Sequence, residues 1–229
     1  MLSSIIAPGK VLLHMGCDNC GRDEAYLAVN VLKKLGVKVE VKDFHCGCDF
    51  FGVDEETIKE LARENEGILG GAQTVIVGCG RCYHVMKKYY KVKAKHIAVV
   101  ILERLHEMNH KFAGQGDVLY HDPCFLSRYH HIVDSPRDIL KILGYSIREF
   151  KNNKEKTDCC GDYSPIQALR ERGAEIRLAQ APKGALLTSI CPKCTRNFSD
   201  FNKPNSKITV KPFLEIVDQA LNIKIPTKL

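Results

Sequence analysis

The sequence predicts an α/β protein of two repeated lobes with mainly parallel sheets, related by a pseudo-two-fold axis. Short apolar, β-branched runs alternate with longer amphipathic segments, the pattern of parallel strands joined by crossover helices. The cysteines repeat: Cys48 to Cys79 spans 31 residues, as does Cys160 to Cys191, and Cys79 and Cys191 each open a C-x-x-C that closes at Cys82 and Cys194. The flanking text repeats too. Val11-Leu12-Leu13-His14 ahead of Cys17 corresponds to Val118-Leu119-Tyr120-His121 ahead of Cys124, at an offset of 107 residues, and residues 32–39 (LKKLGVKV) correspond to 140–147 (LKILGYSI). The expected lobes are 1–114 and 115–229, joined near residues 114–116.

In the first lobe, strands are expected near 10–14, 37–43, 73–78 and 96–101, alternating with helices near 22–35, 54–65, 80–90 and 101–113 whose apolar positions follow the helical period. In the second, strands fall near 117–121, 145–150, 185–190 and 207–210, with helices near 136–143, 165–180, 192–202 and 211–222. Pro136, Pro165 and Pro212 stand near helix starts, and Gly36 and Gly144 at helix C-termini.

The chain's 229 residues fit one large domain or two small ones at ~150 residues per domain. Its 45% hydrophobic content is enough to fill a core. No apolar run approaches the ~18 residues of a membrane span, and the first thirteen residues lack the layout of a signal peptide, so a cytoplasmic location is expected. The net charge of +7 comes from 34 basic residues spread among 27 acidic ones, which predicts no nucleic-acid partner. The unusual feature is eleven cysteines without a secretory signal; in a reducing compartment these are metal or redox ligands before they are disulfides.

Cys17, Cys46/Cys48 and Cys79 each follow a predicted strand, as do Cys124, Cys159/Cys160 and Cys191. In a parallel sheet those strand ends share one edge, where open α/β folds bind ligands, and helix N-termini there stabilise thiolates. The second lobe thus offers Cys124, Cys159, Cys160, Cys191 and Cys194. Five thiols exceed the four of a tetrahedral structural zinc, and an adjacent pair suits several irons sharing sulfide. An iron–sulfur cluster is favoured over buried structural cysteines or a metal-free C-P-K-C dithiol.

His121-Asp122-Pro123-Cys124, Cys159-Cys160-Gly161 and Cys191-Pro192-x-Cys194 resemble the cysteine-rich CCG domain of the B component of heterodisulfide reductase, shared with iron–sulfur subunits of glycolate, lactate and glycerol-3-phosphate oxidising complexes. The resemblance covers nearly the whole chain. It implies that Cys124, Cys159, Cys160, Cys191 and Cys194 bind a non-cubane [4Fe-4S] cluster, one of whose irons can meet a disulfide. The first lobe departs from the pattern: it has Cys46-Gly47-Cys48 in place of adjacent cysteines, an extra Cys20 and no Pro before Cys17. Cys17, Cys46, Cys48, Cys79 and Cys82 are its candidate ligands for a second [4Fe-4S] cluster or zinc, with His14, His45 and His84 as alternative nitrogen ligands.

Other signals are weaker. His106-Glu107-Met108-Asn109-His110 matches H-E-x-x-H, but no third ligand is placed for it. The basic, aromatic run from Lys87 to Lys95 reads as a solvated helix end, ahead of a surface for an acidic protein partner. Gly67, Gly70 and Gly71 make no nucleotide loop. The chain is therefore expected to be an iron–sulfur oxidoreductase subunit that depends on a redox partner, a flavoprotein or ferredoxin-like subunit, and acts on a disulfide. Alternatives are a metal-stabilised binding or scaffold module and an electron-transfer subunit of a lactate- or glycolate-type dehydrogenase. Cys159, Cys160 and His121 are the candidate reactive groups, and Arg128, His130 and His131, close to Cys124 in sequence, could favour a released thiolate.

Overall fold

The computed structural model describes residues 10–16, 24–108, 112 and 116–222. The chain divides into two compact units, Met1–Glu107 and Met108–Leu229. Cys17, Cys20 and His110 lie outside the described residues.

The first unit runs β1 (Lys10–His14), α1 (Ala25–Lys34), β2 (Glu40–Val41), α2 (Glu55–Glu64), α3 (Glu66–Leu69), β3 (Ala72–Val77), α4 (Gly80–Tyr89), β4 (Ala94–His96) and α5 (Ile97–Glu107). Its four strands are all parallel, in the order β2-β1-β3-β4. The second runs β5 (Gly116–Tyr120), α6 (Cys124–His130), α7 (Asp134–Ile142), β6 (Tyr145–Glu149), α8 (Gln167–Leu178), β7 (Leu186–Thr188), α9 (Pro192–Phe201), β8 (Thr209–Val210) and α10 (Phe213–Asn222). Its parallel order, β6-β5-β7-β8, is the same. In both, the chain leaves the first strand to one side and returns on the other, so a switch crevice opens between β1 and β3 and between β5 and β7.

The repeat is visible in detail. Helices α1 and α7 end alike: Leu35 and Leu143 N–H donate to Val31 and Ile139 carbonyls, and Gly36 and Gly144, at φ of 74° and 87°, donate to Lys33 and Lys141. Left-handed backbone there suits glycine, which lacks the Cβ that would clash. Strands β1 and β5 are the hydrophobic centres, with Leu12, Leu13, Val118 and Tyr120 buried.

Two expectations fail. The apolar run read as a strand at 96–101 is a strand only to His96; residues from Ile97 onward begin α5, which spans Ile97–Glu107 in place of the expected 101–113. A short run of Ile, Val and Leu suits a buried helix as well as a buried strand, and burial of Ile97, Ala98, Val100, Ile101 and Leu105 shows the helical period deciding. Helix α6, like the four-residue α3, has no counterpart among the expected helices. It has only seven residues, starts at Cys124 itself and ends at His131 in left-handed backbone.

Candidate metal centre

In the second lobe the helix starts set the sulfurs. Cys191 is the N-cap of α9 and Cys194 lies in its first turn, so the C-x-x-C spacing turns both side chains toward one point; Pro192 at the first helical position has no N–H to leave unpaired. Cys124 opens α6, and Cys159-Cys160 lies on the connection from β6 to α8.

The five sulfurs form one continuous chain. Cys124 Sγ is 4.0 Å from Cys159 Sγ. Cys159 also meets Cys160, Cys160 meets Cys194, and Cys194 meets Cys191. Cys160, Cys191 and Cys194 are buried, whereas Cys124 and Cys159 are half-buried. The centre is closed on the Cys160, Cys191 and Cys194 side and partly exposed along the Cys124–Cys159 edge. A ring nitrogen of His121 and the sulfurs of Cys160 and Cys194 lie within 4.8 Å of one another. His121 itself is fully buried, beside the buried Cys160 and Cys194.

Three devices hold this arrangement. The first is a buried ion pair. Arg137 grips Asp122 through Nη1–Oδ1 and Nη2–Oδ2, both 2.7 Å, while its Nε and Nη2 reach Glu149 at 2.7 and 2.8 Å. Asp122 Oδ2 also accepts from Lys154 N–H at 2.7 Å, and its carbonyl accepts from the Thr157 hydroxyl at 3.2 Å. One carboxylate two residues before Cys124 therefore fixes the loop that carries Cys159 and Cys160.

The second device explains the glycine of the Cys-Cys-Gly motif. Gly161 has φ of 99°, and a Cβ there would stand 2.7 Å from the Arg170 carbonyl oxygen; a Cβ at Gly173 would stand 2.7 Å from Gly161 Cα. The loop and α8 pack backbone to backbone. Asn197 on α9 then donates to the carbonyls of Cys160 (2.8 Å) and Arg170 (3.1 Å).

The third is Arg177, whose side chain is fully buried. It stacks 4.0 Å over Phe150 and donates to Asp158 Oδ2 and the Asn152 carbonyl, both at 3.0 Å. Arg128 donates to the Thr157 carbonyl, and His131 stands 3.5 Å from Glu155, so these two tie α6 to the same loop.

Electrostatics show why the sulfurs suit bound cations. Hydrogen bonds from Cys124 and Cys160, helped by the Gly161 N–H, hold the Cys159 thiol well below its usual pKa. Cys124, Cys160 and Cys194 are pushed up, first by sharing protons with neighbouring thiols and then by burial. Burial, then the Arg177 charge, lowers His121 to about 3 and keeps it neutral. Crowded sulfurs in a poorly hydrated site cannot all ionise by themselves; bound cations remove that repulsion and displace the protons.

In the first lobe Cys46, Cys48, Cys79 and Cys82 are all fully buried. Cys79 is the N-cap of α4, with Cys82 in its first turn. Cys82 Sγ is 3.6 Å from Cys48 Sγ, and ligand atoms of His14, Cys46 and Cys82 lie within 4.8 Å of one another. Of the three candidate histidines, only His14 joins such a group among the described residues. Its Nδ1 is 3.3 Å from the Lys42 carbonyl, and Nε2 has no hydrogen-bond partner among the described residues. His45 instead accepts from Gly47 N–H, and His84 packs edge-on against Phe51. The loop carbonyls are held as in the second lobe, by different groups: Arg81 Nε donates to Cys48 O (2.6 Å) and the Tyr90 hydroxyl to Cys46 O (3.1 Å).

Arg137, Arg177, Gly173, Asn197 and Arg81 carry no sequence signal of their part in these sites. The H-D-P-C text draws attention to Asp122's neighbourhood, but nothing local points to an arginine fifteen residues away.

Strand-end thiols on two matching sheets define a duplicated cysteine-rich α/β domain. The model of the CCG cysteine-rich domain matches residues 11–87 and again 118–199, and the chain belongs to that family. It is 28% identical over 226 residues to the D component of the dihydromethanophenazine:CoB–CoM heterodisulfide reductase of Methanosarcina barkeri, covering 87% of this chain and 55% of that one. It is 26% identical over 216 residues to the B component of the fumarate reductase (CoM/CoB) of Methanothermobacter marburgensis, covering 86% and 43%. With the EtfAB:quinone oxidoreductase of Syntrophomonas wolfei it shares 27% identity over 221 residues, 83% of this chain and 31% of that one. The chain spans about half the length of the heterodisulfide reductase relatives, and these are D components, where the sequence motifs resemble a B component. No helix among the described residues is long and apolar enough to cross a membrane.

Proposed function

We propose that this chain is an iron–sulfur oxidoreductase subunit of the heterodisulfide-reductase kind, and that its second lobe meets a disulfide at the Cys124–Cys159 edge. The observation that carries this reading is the unbroken run of five sulfurs, closed on the Cys160, Cys191 and Cys194 side and open at its other end. The residues fit a [4Fe-4S] cluster of the non-cubane kind: five thiols, two adjacent in sequence, exceed what a tetrahedral ion takes. Such a cluster supplies electron storage and an iron with affinity for sulfur.

The protein's own part is to hold the thiolates in place, exclude water behind them and leave one approach. Reducing a disulfide R–S–S–R′ to two thiols consumes two electrons and two protons. The electrons come from a redox partner, a flavoprotein or ferredoxin-like subunit, and the protons from solvent at the open edge.

The first lobe carries a second cluster or zinc. The approach of His14 to Cys46 and Cys82, with Cys48 next to Cys82, favours zinc, for which mixed imidazole and thiolate ligands are common. Anaerobic purification followed by visible spectroscopy and iron, sulfide and zinc analysis tests both assignments. Brown protein with about four irons in the second lobe is expected; a colourless protein holding only zinc overturns the cluster. Cys160→Ser, with iron still loaded, should lose disulfide-dependent spectral changes, while Cys20→Ser keeps them. A retained response in the Cys160 variant moves the chemistry elsewhere.

A further inference from the structure

We propose that His121 is a built-in hydrogen-bond donor to the sulfurs of the second-lobe centre and sets its reduction potential, a role that rests on the iron–sulfur reading above. His121 has 0% of its surface exposed, and neither ring nitrogen has a hydrogen-bond partner among the described residues. Buried polar groups are ordinarily paired. Here the available partners are sulfurs, because a ring nitrogen lies within 4.8 Å of both Cys160 and Cys194 Sγ.

The ring is held for this purpose. It stands edge-on to Phe198, with centroids 4.9 Å apart and planes at 90°, and to Phe150 at 6.0 Å and 87°. Its backbone N–H donates to the Thr188 carbonyl at 2.9 Å, tying the end of β5 to β7.

The feature occurs twice. His14, at the corresponding end of β1, is also fully buried, has an Nε2 with no hydrogen-bond partner among the described residues and approaches two cysteine sulfurs. In the second lobe five thiols already supply the ligands, so the imidazole is left to donate its N–H. It is a positioning residue: its burial behind Cys160 and Cys194 keeps it from a substrate arriving at the Cys124–Cys159 edge. A hydrogen bond to a sulfur favours the more negatively charged, reduced centre and raises its potential.

The test compares wild type, His121→Phe and His121→Gln, reconstituted anaerobically, with iron and sulfide counted before each redox titration followed by EPR. All three should hold the same iron. The potential should fall in the Phe variant, which has no N–H, and recover in part in the Gln variant, which keeps one. Pulsed EPR with 15N-labelled histidine should find in the wild type a weak coupling of hydrogen-bond size that disappears in both variants. An unshifted potential in fully loaded His121→Phe overturns the inference, as does a coupling large enough for a direct iron–nitrogen bond or loss of iron from both variants. Wild type that binds no iron refutes the iron–sulfur reading itself, a result distinct from all of these.

Discussion

Replacing Arg137 by Met removes the charge that neutralises Asp122 while keeping much of the side chain's length. Arg137 and Asp122 have side-chain exposures of 5% and 1%, and two bonds of 2.7 Å join them, so solvent screens the pair little. Stranding one partner of such a pair costs about 3–5 kcal/mol. Glu149 adds little to that figure, because its side chain is 36% exposed and an exposed pair contributes at most about 1 kcal/mol. Adding Asp122→Asn should recover much of the loss: the buried charge is gone, and the amide oxygen can still accept from Lys154 N–H. Urea unfolding of wild type, both single variants and the double variant gives the coupling energy directly. Iron or zinc content should fall in Arg137→Met before the fold is lost, since Asp122 positions both Cys124 and the loop bearing Cys159. A destabilisation below about 1 kcal/mol would refute the reasoning, because a charge left unpaired at this depth must cost more; undiminished metal content would refute the positioning role.

Gly173→Ala should destabilise by about 1–3 kcal/mol through overpacking against Gly161 and Cys160, although alanine is the better helix former by about 1 kcal/mol; thermal melting gives the sign. Asn197→Leu strips the Cys160 and Arg170 carbonyls of a buried donor and should cost about 1–3 kcal/mol, with lowered metal retention, by the same assay. Site-resolved alkylation of the reduced, metal-free protein should modify Cys124 and Cys159 well before Cys48, Cys79, Cys82 and Cys160, whose labelling waits on unfolding; equal rates would contradict the one-sided opening. Asp54 caps α2 by accepting from the Thr57 hydroxyl and from the N–H groups of Thr57 and Glu56, which holds its carboxyl below the usual aspartate value. Its contribution is therefore present above the ordinary aspartate range and lost as acid protonates it in the folded state. Asp54→Asn should flatten the acid end of the stability curve, read by circular dichroism between about pH 5 and 2.

The sequence alone determined the duplication, the parallel α/β lobes and the placing of Cys79, Cys124 and Cys191 just past strand ends, because spacing and periodicity are local properties that survive without coordinates. Gly36 and Gly144 were readable as helix ends for the same reason. Tertiary structure decided the rest. Whether residues 97–101 form strand or helix depended on which neighbours buried them, and the shortness of α6 left it no periodic signal. Arg137 reaches Asp122 across fifteen residues, Asn197 reaches Cys160 across thirty-seven, and Gly173 matters because another backbone touches it. The same holds for His14, His45 and His84, equivalent in the sequence until packing turned His14 toward Cys46 and Cys82. Only the folded chain separates the buried Cys46, Cys48, Cys79 and Cys82 of the first lobe from the partly exposed Cys124–Cys159 edge of the second, since exposure belongs to a surface that distant segments build together.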